Sequence, residues 1–338
     1  MALDFPPSPR DFLAFRSSRT LAIAIIPLLL TLSYALRKKP RRSFKVPKNE
    51  ERVLVLGASS GIGRSVARQY AARGARVCIV GRRESMLREV EAECRAARTA
   101  AGFPVSSPSD IFSVAADFAS PDDMVRVRKA VEDAWGGLDT HVIAAGVSAL
   151  QPLMAVAGAE VGRGIPLKDP TTKDIQHTAN VALAAIRGNY LGPLIAAVAF
   201  VPMLSNTSKS PSVVLVNSLA SVIPAPTRTL YASTKASSLV LYQALSIEHP
   251  SIRFTFLMPS TVEGNFRASA VDSGPVREKD PNAHGLKRED VARRCIQAVD
   301  NEEKAVFVPE AMRYAHLLYW IVPSFIEKMA SKKYGFST

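Results

Sequence analysis

From residue 51 onward the chain alternates between two kinds of segment. Short runs of consecutive apolar residues occur at RVLVLG (52–57), RVCIV (76–80), IFSVAAD (111–117), DTHVIAAG (139–146), SVVLVNS (212–218), IRFTFLMP (252–259) and KAVFVP (304–309). Runs of this length without polar alternation predict strands covered on both faces. Between them lie segments with helical spacing: 59–74 with Gly74 at its end, 84–100, 121–135 opened by Pro121, 171–204 and 229–249. The alternation predicts an α/β fold, a single doubly wound parallel sheet of about seven strands. Residues 147–170, with Gly158, Gly162, Gly164, Pro166 and Pro170, predict a long loop.

Two stretches stand outside this pattern. Thr20 to Leu36, TLAIAIIPLLLTLSYAL, is seventeen residues without a charge. As a helix it spans about 26 Å, marginal against a hydrocarbon core of about 30 Å. Pro27 predicts a kink, which membranes tolerate. Seven Lys and Arg follow between Arg37 and Lys48, while three Arg and two Asp precede. The positive-inside rule therefore predicts a membrane anchor whose C-terminal flank is cytosolic. This gives an N-terminal flank (1–19), an anchor (20–36), a basic linker (37–49) and a domain over 50–310. A cleaved signal peptide is the first alternative, with Ser33-Tyr34-Ala35 a poor cleavage site and the basic flank opposing translocation. A segment lying in the interface without spanning is the second. The last stretch, 311–338, is apolar and aromatic around Pro323. It predicts a helical extension packed on the domain or lying on a membrane.

Composition then excludes several classes. The 338 residues are 47% hydrophobic and 22% charged, enough for a packed core and against global disorder. Cys78, Cys94 and Cys295 lie far apart, and the five His show no ligand spacing. A disulfide scaffold or a protein-built metal site is not expected. The net charge is +13, but residues 1–49 carry +8 of it. Basicity beside an apolar run addresses a membrane rather than a nucleic acid.

The chemistry sits at strand ends. Gly57-Ala58-Ser59-Ser60-Gly61-Ile62-Gly63 joins the first strand to the first helix. Glycine there permits a tight turn, close approach of backbone to a pyrophosphate, and close helix–sheet packing. The helix N-terminus offers unpaired N–H groups to the phosphates. The motif predicts a Rossmann-type dinucleotide site. The second strand is followed by Arg82 and Arg83, and no acid occurs between Val77 and Arg83. A 2′-phosphate wants a cation at this place, so NADP(H) is the expected cofactor, with Arg64 a second candidate contact. Tyr231 and Lys235 share a helix face at i, i+4, and Ser218 ends the fifth strand thirteen residues upstream. An ammonium beside a phenol lowers its pKa, and a serine hydroxyl holds the substrate oxygen.

With these residues in order, the chain resembles the short-chain dehydrogenase/reductase family over roughly 50–310. The resemblance implies a Ser218, Tyr231, Lys235 catalytic set. It also implies that Asn189, in RGNYLGP, completes a proton relay through water. It implies adenine contact by Asp117, cofactor contact by Ala145, Gly146, Tyr231 and Lys235, and a nicotinamide contact from the Val262 backbone. A homodimer or tetramer is expected on the same basis. Arg82, the anchor and the apolar C-terminal helix resemble membrane-anchored, NADPH-dependent lipid and steroid-type members. There are departures. Ile143-Ala144-Ala145-Gly146 stands where the family has Asn-Asn-Ala-Gly, and Leu56 replaces a common threonine. Pro259-Ser260 replaces Pro-Gly, Gly264 stands where a threonine is common, and about forty residues separate Gly146 from Asn189.

The expected function is reduction of a lipophilic ketone or aldehyde by NADPH at an internal membrane, endoplasmic reticulum or lipid droplet, with the catalytic domain cytosolic. Two alternatives remain at this point. One is NADP-dependent oxidation of a lipophilic alcohol by the same residues. The other is an NADP(H)-binding sensor or scaffold without turnover.

Overall fold

The structure, a computed structural model, describes residues 42–160, 166–273 and 280–335. The predicted anchor at 20–36 lies outside them. Seven strands form: β1 (Arg52–Leu56), β2 (Arg76–Gly81), β3 (Ile111–Ala115), β4 (Thr140–Ile143), β5 (Ser212–Val216), β6 (Arg253–Pro259) and β7 (Ala305–Val308). All neighbouring pairs are parallel, in the order β3-β2-β1-β4-β5-β6-β7.

Consecutive apolar residues are explained by two cores. On β1, Val53 and Val55 face one core while Leu54 and Leu56 face the other, and all four are fully buried. Helices α1 (Gly61–Ala72), α2 (Glu84–Ala100), α3 (Pro121–Trp135), α4 (Thr172–Ile186), α5 (Gly192–Thr207), α6 (Thr229–Glu248) and α7 (Arg288–Asp300) cover the two faces. Val66 and Tyr70 of α1, Val90 of α2 and Val299 of α7 fill the first core. Val127 of α3, Phe200 of α5 and Tyr242 of α6 fill the second. The chain reverses direction across the sheet between β1 and β4, the place where open α/β sheets bind ligands at their C-terminal edge.

The helical stretch expected over 171–204 runs from Thr172 to Thr207 through a π-turn at Arg187–Leu191. It is long and apolar enough to cross a membrane, yet its buried residues Val181, Ala185, Phe200 and Leu204 make it a core helix. Helix α7 was not expected. The 147–170 loop contains a short helix, Leu153–Val156.

The fold also reaches back into the basic linker. Arg42, only 2% exposed, donates hydrogen bonds to Glu51 Oε1 (2.5 Å), Thr140 Oγ1 (2.7 Å) and the carbonyls of Ser210 (3.1 Å) and Asp139 (3.2 Å). It joins the N-terminal ends of β1, β4 and β5. Beyond β7 come α8 (Met312–Ile321) and α9 (Pro323–Tyr334). Their one buried residue is Ile326, while Trp320 (74%) and Ile321 (76%) are among several large apolar side chains exposed there.

Candidate active site

Gly57 takes φ +82°, and its N–H donates to the Val80 carbonyl. A Cβ at Gly57 would lie 2.5 Å from the Ala145 nitrogen, and one at Gly63 2.3 Å from the Gly57 carbonyl oxygen. Both glycines are therefore required by backbone packed on backbone. Gly61, at φ +58°, faces open space: nothing lies within 4 Å of where its Cβ would be. This is the cradle a pyrophosphate needs over the start of α1. The Arg83 guanidinium donates to the hydroxyls of Ser59 (3.1 Å) and Ser60 (3.2 Å), and Arg82 lies exposed beside it on the same cavity. These four residues fit a phosphate ester. Arg64 lines the same cavity, with its guanidinium held by Glu89 (2.6 Å) and Glu93 (2.5 Å). Asp117 accepts from the Ala119 amide and from Arg187, each at 3.0 Å. Its partial burial opposes charge, but those two donors outweigh it and hold the carboxyl below its ordinary pKa.

The π-turn has a purpose here. It presents Asn189 inward, fully buried, where Oδ1 accepts from the Val147 amide (2.9 Å) and Nδ2 donates to the Val147 carbonyl (3.0 Å) and Thr234 Oγ1 (3.1 Å). Such turns concentrate at functional sites. Asn189 thus braces the segment after β4 at Val147, a few residues beyond the two departures from asparagine at Ile143 and Ala144. Asn217 does similar work. Its Nδ2 donates to the Lys235 carbonyl and its Oδ1 accepts from the Ser218 amide. Sequence reasoning missed Asn217, whose only signal was adjacency to Ser218.

Ser218 lies two residues past the end of β5 rather than at it, and its Oγ accepts from the Ala220 amide, turning the chain. Tyr231 is 8% exposed, with Phe266 packed edge-on at 6.0 Å. Lys235 is buried and donates to the Val216 carbonyl at 3.1 Å. A Cβ on Gly146 would sit 3.3 Å from the Lys235 Nζ, so glycine keeps that approach open. Val262 bridges Leu286, but the ladder uses the Thr261 carbonyl and the Glu263 amide, not the polar groups of Val262 itself.

All the expected site residues except Gly63 and Asn189 line one cavity of about 1570 Å³. Gly63 and Asn189 stand one layer behind. A ligand pocket is usually about 300–1,000 Å³, so this one has room for a dinucleotide and a second molecule. Helices α8 and α9 close its far side through Leu318, Phe325 and Met329.

Burial pushes the Lys235 ammonium down to about 8. Its folded pKa lies below the ordinary value near 10.4, so the unfolded chain binds the proton more readily between those limits. Below pH 8 the buried charge costs the protein about 3 kcal/mol, and that cost disappears as pH rises from about 8 to 10.5. We expect Lys235→Met to be more stable than wild type without cofactor at pH 7, and the gap to close at pH 10. Urea unfolding at the two pH values reads this; an equal gap at both refutes it.

The comparisons agree with this geometry. The family model for short chain dehydrogenases matches residues 51–273. The 11-beta-hydroxysteroid dehydrogenase-like 4A of Arabidopsis thaliana is 28% identical over 288 residues, 84% of each chain. Dehydrogenase/reductase SDR family member 7B of Bos taurus is 26% identical, covering 83% of this chain and 80% of its own. Among solved structures, a short chain dehydrogenase/reductase from Burkholderia phymatum in complex with NAD superposes with a TM-score of 0.66 at 16% identity, covering 82% of this chain and 96% of that one. An alcohol dehydrogenase from the archaeon Thermococcus sibiricus, complexed with 5-hydroxy-NADP, gives 0.59 at 22% identity, with 76% and 94% covered. Strand order, glycine cradle and matched length converge: the chain belongs to the short-chain dehydrogenase/reductase family and is an oxidoreductase of that family.

Proposed function

We propose that the protein reduces a lipophilic ketone or aldehyde with NADPH at a membrane surface. The observation that carries the reading is one cavity lined by Ser218, Tyr231 and Lys235 together with Gly57, Ser59, Ser60, Gly61 and Ile62, and by apolar side chains of α8 and α9. Gly57, Ser59, Ser60, Gly61 and Ile62 would hold the pyrophosphate end. Asp117 would meet the adenine, and Ala145, Gly146 and the Val262 backbone the nicotinamide half. NADPH, when bound, supplies the hydride. Tyr231 donates its phenolic proton to the carbonyl oxygen, and Ser218 holds that oxygen by a hydrogen bond. Lys235 sits against Gly146, binds ribose and lowers the pKa of the phenol. Asn189 fixes the Val147 segment and α6 and so keeps the proton path behind Lys235 in register.

Arg82 and Arg83 support NADPH over NADH. Replacing both by alanine is expected to weaken NADPH binding by about 10- to 100-fold, the loss of one or two charge-assisted contacts. NADH binding should not change. Titrations with the two nucleotides check this, and an equal loss for both would remove the assignment.

Membrane association is supported by the apolar run at 20–36 and by the exposed apolar side chains of α8 and α9. The relatives named for hydroxysteroid dehydrogenase activity support a lipophilic substrate. The test is NADPH consumption by the full chain in liposomes against a panel of ketosteroids, keto-sphingoid bases, acylated dihydroxyacetone and long-chain aldehydes. Turnover of one class establishes the reading. Tight NADPH binding with no turnover across the panel rejects it.

A further inference from the structure

The apolar wall that α8 and α9 give the cavity continues onto the outside of the molecule. On α8, Tyr314, Leu317 and Ile321 are exposed at i, i+3 and i+7 and so share one stripe, with Trp320 at its rim. The other side of α8 holds the helix to the domain: His316 Nδ1 lies 3.1 Å from the Val222 carbonyl oxygen, and its ring stacks on Phe307. On α9, Phe325, Lys328, Met329 and Lys332 fall at i, i+3, i+4 and i+7. All four are exposed, so this face interleaves two large apolar side chains with two lysines. Tyr314, Leu318, Phe325 and Met329 belong to both surfaces: each is exposed and each lines the cavity.

A contiguous exposed apolar face marks an interaction surface, and charge selects the partner. Between residues 311 and 338 there are four Lys and Arg and one acid, Glu327. In a two-fold contact with a second copy the same patch meets itself, which brings these lysines toward their own counterparts. An anionic lipid leaflet suits both halves of the face. Apolar side chains enter the boundary between headgroups and acyl chains, and lysine stems lie along it with their ammonium groups among the phosphates. An exposed indole is favoured at that same depth.

We propose that α8 and α9 dock on an anionic lipid leaflet, and that the substrate passes from that leaflet into the cavity through the wall the two share. The proposal deepens the membrane-surface reading by assigning the docking surface and the route. The docking stands without the reductase chemistry; the route rests on it.

The test is fluorescence of the full chain in phosphatidylcholine vesicles made with and without phosphatidylserine, with acyl chains brominated near the headgroup as quenchers. The chain has two tryptophans. Trp135 is buried and donates to the Ser109 carbonyl, so Trp320 is the one a lipid quencher reaches. We expect about half or more of the Trp320 emission to be quenched in the anionic vesicles. Leu317→Glu with Ile321→Glu, neither of which lines the cavity, should remove that quenching. Lys328→Gln with Lys332→Gln should lower the docked-to-undocked ratio about 10- to 30-fold in anionic vesicles and leave it unchanged in neutral ones. NADP+ binding by each variant reports an intact fold. For the route, the glutamate variant should turn over a long-chain ketone dissolved in the vesicle at least about tenfold more slowly, and a short water-soluble ketone within about twofold of wild type. A chain that floats with the vesicles while Trp320 stays unquenched overturns the docking and leaves the membrane-surface reading intact. Concentration-dependent cross-linking through Trp320-side residues without quenching overturns it in favour of a second copy. Unchanged turnover of the dissolved ketone by the glutamate variant overturns the route. Quenching that the glutamate variant abolishes, with no ketone turned over by wild type, upholds the docking and removes the reductase reading.

Discussion

Tyr231→Phe should lower kcat for carbonyl reduction by about 10³-fold while leaving NADPH affinity within about twofold. The magnitude is that of removing a positioned general acid. The size of the side chain hardly changes, so its edge-on packing against Phe266 is retained. The lost atom is the hydroxyl that would protonate the developing alkoxide. Water is a poor replacement in a site where Tyr231 is only 8% exposed. The glycine cradle lies on another element and is untouched. Stopped-flow consumption of NADPH and a nucleotide titration together read the two quantities. Unchanged kcat would remove Tyr231 from the chemistry.

Arg42→Ala should destabilise the domain by about 3–5 kcal/mol, the largest stability effect we expect from one substitution. Arg42 and Glu51 are both buried, so removing the guanidinium leaves the Glu51 carboxylate out of water without its main counter-charge, with the Thr140 hydroxyl (2.6 Å) as its remaining close donor. Arg73, at 3.8 Å, is too distant to replace it fully. The double variant Arg42→Met, Glu51→Leu should recover most of the loss, because well-packed apolar residues often equal a buried ion pair. Urea unfolding of the single and double variants measures both. A loss under 1 kcal/mol in the single variant would show that the pair contributes nothing.

The sheet was legible because its inner strands β1, β4, β5 and β6 are buried on two sides, which forces an unbroken apolar run, and the edge strands β3 and β7 keep enough of that run to be read. Gly57, Gly61 and Gly63 were legible because backbone meets backbone or ligand there, and no other residue serves. Helix α7 escaped because Arg288, Glu289, Asp290, Arg293 and Arg294 dominate its composition, although Val291, Cys295 and Val299 keep a helical stripe. Arg42 escaped because a lysine- and arginine-rich linker reads as uniformly solvated. Its burial is set by acceptors 97 and 168 residues away, at Asp139 and Ser210. The pairing of Arg64 was illegible for a related reason: its partners Glu89 and Glu93 sit on the next helix, not in its own motif.

Every strand in the sheet runs the same way, so the ends held by Arg42 form the rear of the molecule and the cavity its front. Arg42 therefore bolts the back door rather than the front. A cut made just past Arg42 removes the bolt that holds that door shut.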